Sequence, residues 1–247
     1  MKFTLQYYDV LESTNATAAE AAANGAGEGT VIIAARQTGG HGRMQRVWNS
    51  PVGGLWFSII LRPEIAPEYA AQLTLLAGVA VNLALRQLYN TDKLMIKWPN
   101  DLLLNGKKVC GILSELQLDE NGEIDYAVIG IGVNVALKEA DFPEDIRSCA
   151  VSLNAALSQN HTCDEVLTAV LNELATLYNR WLTDGSKAIL PLWKRLNCTL
   201  GNAVKVKDND QVIFTGVAAT IDEQGALVVV NESGKAQTFD FGEISIR

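Results

Sequence analysis

The stretch KLMIKWPNDLLLNGKKVCGILSELQL, residues 93–118, decides the expected fold. Apolar runs separated by turn residues predict three consecutive strands in it. They lie at residues 93–98, 102–104 and 109–118. A fourth strand is predicted at residues 125–135, after Asn121-Gly122, a dipeptide typical of tight hairpin turns. The segment therefore predicts part of a sheet, with a hairpin between its last two strands.

Toward the N terminus, the pattern predicts further strands and two helices. Ser13, Thr14 and Asn15 offer capping side chains before an Ala-rich helix that Asn24-Gly25 would end. A longer helix is predicted at residues 68–89, where polar residues such as Gln72 and Arg86 favour a buried helix over a membrane span. The strands are predicted at residues 3–9, 30–35 and 55–61.

Toward the C terminus, helices give way to short strands. The helices are predicted at residues 164–182 and 187–196, and the strands at residues 203–206, 211–220, 226–230 and 236–241. The turn signals between these strands are at residues 208–210, 224–225 and 233–234. About 45 residues of short strands are too few for an independently stable domain, so this β-barrel is expected to dock on the rest. We predict an α+β fold, with a mixed sheet and packed helices over residues 1–197 and the small β-barrel over residues 198–247.

Charge and composition exclude several classes of protein. The chain has 247 residues and a formal net charge of −8. Nucleic-acid binding proteins neutralise phosphates with clustered Lys and Arg, so we expect no nucleic-acid partner. The first nine residues alternate polar and apolar, unlike the continuous apolar run of a signal peptide. A cytoplasmic protein without a membrane partner is therefore expected.

The cysteines predict neither a zinc site nor a disulfide framework. They form no CxxC pair, and the chain has only two histidines that could join them, His41 and His161. We expect reduced and mostly packed thiols at Cys110, Cys149, Cys163 and Cys198.

A glycine-rich basic loop, RQTGGHGRMQRVW at residues 36–48, is the first candidate binding segment. Its glycines let backbone N–H groups approach an anion, and Arg43 and Arg46 add fork-shaped cationic donors. Trp48 offers a flat face for a purine or for anchoring the loop. The segment matches neither the GxxxxGK[ST] phosphate loop nor a convincing GxGxxG unit. The alternative is a flexible solvated loop with incidental arginines.

Two further segments carry candidate ligand-binding groups. Pro99 stiffens the backbone after a strand, so Lys97, Asn100 and Asp101 would project from a rigid edge. A lysine, an amide and a carboxylate together suit phosphate, adenine or ribose, and magnesium. The alternative is a strand-ending turn with ordinary surface charges.

Glycines inside the strands at residues 109–118 and 125–135 are the other signal. Gly111, Gly130 and Gly132 weaken these strands unless something must approach the backbone closely. Asn134 follows an apolar run and needs hydrogen-bond partners if it is buried. A structural network is the alternative source of those partners.

Taken in order, these segments resemble the catalytic domain of biotin protein ligases. The matching motifs are Ser-Thr-Asn at 13–15, Gln-x-x-Gly-x-Gly-Arg-x-x-Arg-x-Trp at 37–48, Lys-Trp-Pro-Asn-Asp at 97–101, Lys-x-x-Gly-Ile-Leu-x-Glu at 108–115 and Gly-x-Gly-x-Asn at 130–134. Residues 216–229 are similar to that family's small SH3-like C-terminal domain. The resemblance implies a catalytic domain of the class II synthetase-like type. Because the first predicted strand starts at residue 3, we expect the monofunctional type without an N-terminal DNA-binding domain.

The resemblance also implies an activity. Such a ligase activates biotin with ATP to biotinyl-5′-AMP, releases pyrophosphate, and transfers biotin to a lysine of a biotin carboxyl carrier protein, as in acetyl-CoA carboxylase. Magnesium is expected with ATP. Ligases of this type occur as monomers and as dimers, and of the two a homodimer is expected here. The rival activity is that of a lipoate or octanoate ligase or transferase of similar fold.

The roles implied for single residues follow the motifs. Biotin contacts are implied for Ser13, Thr14, Asn15, Gln37, Gly40, Arg43, Lys108, Gly111, Gly130 and Gly132. Nucleotide contacts are implied for Arg43, Arg46, Trp48, Lys97, Asn100, Lys108 and Asn134. Catalytic roles are implied for Arg43, Lys108 and Asp101, and magnesium is expected to be held near Asp101 or by the phosphates alone.

The loop departs from the family's commonest form at two positions. His41 stands where arginine is frequent, and Gln45 where glycine is frequent. The loop therefore has one charge fewer and a less permissive backbone, which puts its order over the adenylate in question.

Overall fold

A seven-stranded mixed sheet forms the centre of the molecule. The computed structural model describes residues 1–208, 211–240 and 242–246. The strands are β1 (Thr4–Leu11), β2 (Thr30–Gln37), β3 (Leu55–Leu61), β4 (Leu94–Lys97), β5 (Asp101–Leu104), β6 (Lys107–Leu118) and β7 (Ile124–Val133). Their order across the sheet is β1-β2-β3-β7-β6-β5-β4. Strands β1 and β2 are parallel, and the other neighbours are antiparallel, so the predicted mixed sheet is confirmed.

Helices cover both faces of this sheet. They are α1 (Thr14–Ala23), α2 (Ala71–Leu88), α3 (Leu153–Leu157), α4 (Cys163–Asp184) and α5 (Leu190–Leu196). Strand β3 shows the two-sided burial: Phe57 and Ile59 face the main core with α2 and α4, whereas Ile60 packs with α1. A strand buried on both faces needs apolar residues at successive positions, which explains the run LWFSIIL.

Capping residues mark the ends of the helices, and those of α1 are the ones predicted from the sequence. The Ser13 side chain accepts a hydrogen bond from the backbone N–H of Ala16, and Gly25 after α1 has a φ of +89°. Thr162 and Glu165 form a reciprocal capping box at the start of α4.

The apolar helix α2 lies in the core. The segment Pro67–Leu88 that contains it is long and apolar enough for a membrane span by length and composition alone. However, 72% of its most apolar window is buried inside the protein, which is typical of a core helix.

A second, antiparallel sheet follows α5. Its strands are β8 (Ala203–Asp208), β9 (Gln211–Ile221), β10 (Leu227–Val230), β11 (Ala236–Phe239) and β12 (Glu243–Ile246), in the order β11-β10-β9-β8-β12. The predicted docking is confirmed, because Trp98 hydrogen-bonds Thr199 Oγ1 through its backbone and the Gly225 carbonyl through its indole. Both sheets also contribute to one continuous apolar core.

Several predicted elements differ from the structure. Strand β12 and helix α3 were not predicted from the sequence. The helix predicted at 187–196 is a 3₁₀ turn, Gly185–Ala188, followed by α5, because Pro191 starts a new helix in its first turn. Residues 209, 210 and 241 of the predicted turn and strand lie outside the described residues.

The cysteines are reduced, and three of them are packed as expected. Burial raises the pKa of the Cys110, Cys163 and Cys198 thiols, in the case of Cys163 to about 11. Cys149 is the exception, since it is exposed.

Candidate active site

A cavity of about 290 Å³ lies where β6, β7, the 36–48 loop and the start of α1 meet. It brings together nearly all of the residues singled out in the sequence. These are Ser13, Thr14, Asn15, Gln37, Arg43, Arg46, Trp48, Lys97, Asn100, Asp101, Lys108, Gly111, Gly130, Gly132 and Asn134. Gly40 is not among the lining residues: it is buried behind them, where a side chain would collide with Ser50 Oγ and the Trp48 carbonyl.

One end of the cavity is a network of neutral polar groups, which we call the polar pocket (Ser13, Thr14, Asn15, Gln37 and Ser58). Gln37 Oε1 accepts hydrogen bonds from the backbone N–H of Thr14 at 2.7 Å and from its hydroxyl at 3.0 Å. The Ser58 hydroxyl, which is fully buried, shares its proton between Thr14 Oγ1 at 2.8 Å and Asn15 Oδ1 at 2.6 Å. These bonds hold the α1 start, β2 and β3 in one arrangement.

The Asn15 side chain is held against the central sheet by hydrogen bonds to β3 and β6. Its Nδ2 donates to Glu115 Oε2 at 2.7 Å, and the side chain is only 5% exposed. A Cβ at Gly130 would collide with Asn15 Oδ1. Gly130 is therefore needed for Asn15 to lie against β7.

Trp48 covers the other two strand glycines. A Cβ at Gly132 would lie 2.5 Å from Trp48 Nε1, and one at Gly111 would lie 3.1 Å from its ring. Lys108 Nζ lies 5.0 Å from the centre of the same ring, a cation–π geometry. In this structure, the close approach that the glycines predicted is made by the side chains of Asn15 and Trp48.

An ion pair lies beside the Trp48 ring. Lys108 Nζ on β6 is 2.6 Å from Asp101 Oδ1 on β5, and the two side chains are 33% and 21% exposed. The neighbouring strand register brings them together, since Leu103 pairs with Lys108 and Asp101 with Gly111. Among the described residues there is no group of three or more His, Cys, Asp or Glu side chains that could hold a metal ion. In this structure, the main contact of the Asp101 carboxylate is therefore its ion pair with Lys108.

The two predicted amides brace the backbone around the cavity. Asn100 Nδ2 donates to the Ile112 carbonyl at 2.7 Å. Asn134 is 3% exposed, and its Nδ2 faces the carbonyls of Lys108 at 3.5 Å and Val151 at 3.3 Å. The structural network considered for Asn134 is therefore present, at a position that also lines the cavity.

The 36–48 loop is tied to the second sheet. Arg43 Nη1 donates to the Gly242 carbonyl at 3.0 Å. Met44 and Gln45 adopt φ values of +55° and +57°, the left-handed region in which a side chain is unfavourable. Gln45 thus occupies a backbone conformation that glycine would adopt more easily, as its unusual place in the loop suggested.

Comparison with known proteins identifies the family. The model of the biotin/lipoate A/B protein ligase family matches residues 7–134, and that of the biotin protein ligase C-terminal domain matches residues 199–247. The bifunctional ligase/repressor BirA of Bacillus subtilis (strain 168) is 40% identical over 233 residues, which cover 93% of this chain and 70% of that protein. The chain belongs to the biotin protein ligases. Because the C-terminal match is to this group by name, the lipoate-ligase alternative is not favoured.

The chain spans a larger share of the length of other biotin protein ligases. The biotin–[acetyl-CoA-carboxylase] ligase of Paracoccus denitrificans is 33% identical over 230 residues, covering 91% of this chain and 93% of that one. The solved structure of the Aquifex aeolicus ligase in complex with biotin and ATP superposes with a TM-score of 0.82 at 29% identity, covering 99% of this chain and 98% of that one. The predicted fold class, including the C-terminal sheet, is confirmed.

Some lining residues of this ligase carried no signal in the sequence. Phe142, Ile146 and Cys149 come from the irregular segment after β7, and Ile244 comes from β12. Ser58 is fully buried behind the lining as part of the polar pocket, and it sits within an apolar strand, where a single serine resembles an ordinary small core residue. These five residues lie outside the motifs, and only the folded chain brings them to the cavity or to its polar pocket.

Proposed function

We propose that this ligase converts biotin and ATP to biotinyl-5′-AMP and pyrophosphate, and then transfers the biotinyl group to a lysine of a carrier protein. The observation that carries the proposal is the cavity itself. It has a neutral polar pocket at one end, and the cations Arg43 and Lys108 with the Trp48 face at the other. This division of polarity suits an uncharged ureido ring joined to a carboxylate that must meet a triphosphate.

For biotin, we assign the polar pocket to the ureido ring. Its groups are already oriented by mutual hydrogen bonds, which lowers the entropic cost of binding a rigid ligand. Gly111, Gly130 and Gly132 would act by letting the Asn15 and Trp48 side chains lie against β6 and β7, where these side chains would face the ring and the valeryl chain. Gly40 would act from behind by holding Gln37 and the loop in place.

For the first half-reaction, we assign charge cancellation to Arg43 and Lys108. A carboxylate oxygen attacks the α-phosphorus, a C–O–P bond forms, and the bond to pyrophosphate breaks. Two anions must approach, and one cation 4 Å from each contributes about 4 kcal/mol before desolvation is subtracted. Orientation and charge cancellation are then sufficient, without covalent catalysis by the protein.

For the nucleotide, we assign contacts to Arg46, Trp48, Lys97, Asn100 and Asn134. Trp48 offers its ring to the purine, and Lys97 faces the phosphates from the end of β4. The braced amides of Asn100 and Asn134 would keep this wall rigid.

Magnesium fits this site only in part. Asp101 is the one carboxylate among the described residues that lines the cavity, and Lys108 already pairs with it. Magnesium commonly uses one or two carboxylates together with substrate phosphates, so Asp101 could supply one ligand oxygen. When bound, the ion would neutralise charge on the phosphates.

For the second half-reaction, we assign Asp101 to the incoming lysine. The ε-amine, whose ordinary pKa is about 10.4, must lose a proton to attack the biotinyl carbonyl. A C–N bond forms, the bond to the phosphate oxygen breaks, AMP leaves, and the proton passes to the Asp101 carboxylate. The carrier is proposed to be the biotin carboxyl carrier of acetyl-CoA carboxylase, which the name of the Paracoccus relative specifies for that protein.

Three broader proposals accompany the activity. Division at residues 197/198 is supported by the start of β8 at Ala203. A cytoplasmic location fits an ATP-dependent enzyme whose cysteines are all free. A homodimer is supported by edge strand β1, which carries the exposed side chains of Leu5, Tyr7 and Val10.

The activity is tested by incubating the protein with biotin, ATP, magnesium and a purified carrier domain, and then measuring the mass of the carrier. We expect the addition of one biotinyl group, dependent on ATP. Octanoate and lipoate replace biotin in parallel reactions, and a preference for either of them would refute the proposal. Light scattering of the same sample measures the oligomeric state.

A further inference from the structure

Glu115 lies at the junction of two motifs and has no role in the mechanism above. It is on β6 beyond Gly111, where the pairing of β6 with β5 ends. Its carboxylate has neighbours on both sides. Oε2 accepts the hydrogen bond from Asn15 Nδ2 at 2.7 Å, and Oε1 lies 3.9 Å from His41 Nε2.

On the first side, Glu115 sets the orientation of a buried amide. Asn15 Oδ1 accepts from Ser58 at 2.6 Å, so its Nδ2 must find an acceptor. The Leu113 carbonyl is 3.5 Å from Nδ2, at the limit of a hydrogen bond, which leaves the Glu115 carboxylate as the short contact. Without that carboxylate, a donor in the polar pocket loses its main partner.

On the second side, Glu115 faces the 36–48 loop. His41 lies between Gly40 and Gly42, two residues before Arg43, and its Nδ1 is 3.4 Å from the Gly39 carbonyl. The His41 and Glu115 side chains are 24% and 46% exposed. An ion pair between them exists only when the imidazole is protonated, whereas an arginine at this position would be charged at every physiological pH.

We propose that Glu115 is a positioning residue that connects the polar pocket to the 36–48 loop. It orients Asn15 through one oxygen, and through the other it holds the loop over the cavity when His41 is protonated. This inference rests on the proposed function. It predicts that the loop of this ligase retains the adenylate in a pH-dependent manner.

The groups around His41 come from three elements. Glu115 faces it from β6, and Glu12 packs against Gly39 from the segment after β1. Arg43 and Arg46 follow on the same loop and have partners of their own. Within the part of the chain that the structure describes, Glu115 is the acid that lies within 4 Å of the imidazole, so its removal is the decisive perturbation.

The experiment measures the rate at which preformed biotinyl-adenylate leaves the full-length protein between about pH 5.5 and 8. For the wild type, we expect release to become about two- to fivefold faster as pH rises, the size of effect typical of a partly exposed ion pair. Glu115→Gln should release at the fast rate throughout. His41→Arg should release at the slow rate throughout, and Glu120→Gln, at the tip of the same hairpin, should follow the wild type.

A second measurement separates the two sides of Glu115. Glu115→Gln keeps an oxygen that can accept from Asn15, so its KM for biotin should stay near the wild-type value. Glu115→Ala removes that acceptor and should raise the KM for biotin about tenfold or more, with the KM for ATP unchanged. If Glu115 had a purely structural role, Glu115→Ala would raise the KM values for biotin and ATP together.

The outcomes distinguish this inference from the proposed function. If the wild type forms no biotinyl-adenylate, the proposed function itself fails. If it forms the adenylate but Glu115→Gln keeps the wild-type pH profile, or Glu115→Ala keeps the wild-type KM for biotin, the positioning role of Glu115 is overturned and the ligase activity stands.

Discussion

Removal of the Lys108 amine should disable the first half-reaction while leaving the fold intact. In Lys108→Ala, the ion pair of 2.6 Å with Asp101 is lost, together with the cation beside the Trp48 ring. The side chain is one-third exposed and lies at the start of β6, so the sheet keeps its pairing. The effect should therefore fall on the approach of the two substrate anions.

The expected loss in kcat/KM of Lys108→Ala has two contributions, and both slow the reaction. A cation about 4 Å from a substrate anion contributes about 4 kcal/mol at an effective dielectric of about 20, and desolvation reduces this to the ~1.5–3 kcal/mol typical of hydrogen bonds to charged groups. In addition, Asp101 loses its cation and repels the incoming phosphates. At ~1.4 kcal/mol per tenfold, the two terms together predict a loss of about 100-fold or more in kcat/KM.

The assay is biotin-dependent exchange of radioactive pyrophosphate into ATP, which reports adenylation without any carrier protein. Lys107→Ala provides a matched control, because this neighbouring lysine on the same strand is exposed and has no place in the proposed mechanism. Equal exchange by the wild type and Lys108→Ala would refute the assignment. Equal loss in both lysine variants would show that general surface charge, rather than the position of Lys108, supports the reaction.

Three other variants test the remaining assignments. Arg43→Gly should release biotinyl-adenylate into solution at least about tenfold faster, the effect of losing one charge-assisted contact, measured by chromatography of the free adenylate; unchanged retention would show that the loop is not the lid. Asp101→Asn should keep pyrophosphate exchange, because Lys108 remains and the amide oxygen can still contact magnesium, but slow transfer to the carrier about 100-fold; equal losses in the two steps would argue against a proton-accepting role. Gly130→Ala should displace Asn15, lower the free energy of unfolding by about 1–3 kcal/mol in urea titration and weaken biotin binding, with an unaltered KM contradicting the role of the pocket.

The central sheet was predictable because its signals are local. Apolar runs, the Asn121-Gly122 turn and the cap at Ser13 each act within a few residues, and the structure places strands or a helix start at each of them. The motifs predicted which residues would gather at one cavity, since glycines within strands and isolated cations have few structural uses.

The remaining features depend on contacts between distant parts of the chain. Ser58 becomes a polar group of the pocket only because α1 crosses β3 above it. Similarly, Glu115 and His41 are far apart in sequence, and they meet only because the loop between β2 and β3 folds over the sheet toward β6. Trp48 was assigned to a purine or to anchoring the loop, and the folded chain adds that its ring lies against Gly111 and Gly132, which sequence alone did not indicate.

The contact between Arg43 and the Gly242 carbonyl, together with Ile244 in the cavity wall, makes the second sheet part of the candidate site. The small C-terminal sheet therefore does more than add stability to the core. A substitution that loosens residues 242–244 should also loosen the 36–48 loop, so changes far from the motifs in sequence can alter how the cavity holds its ligands.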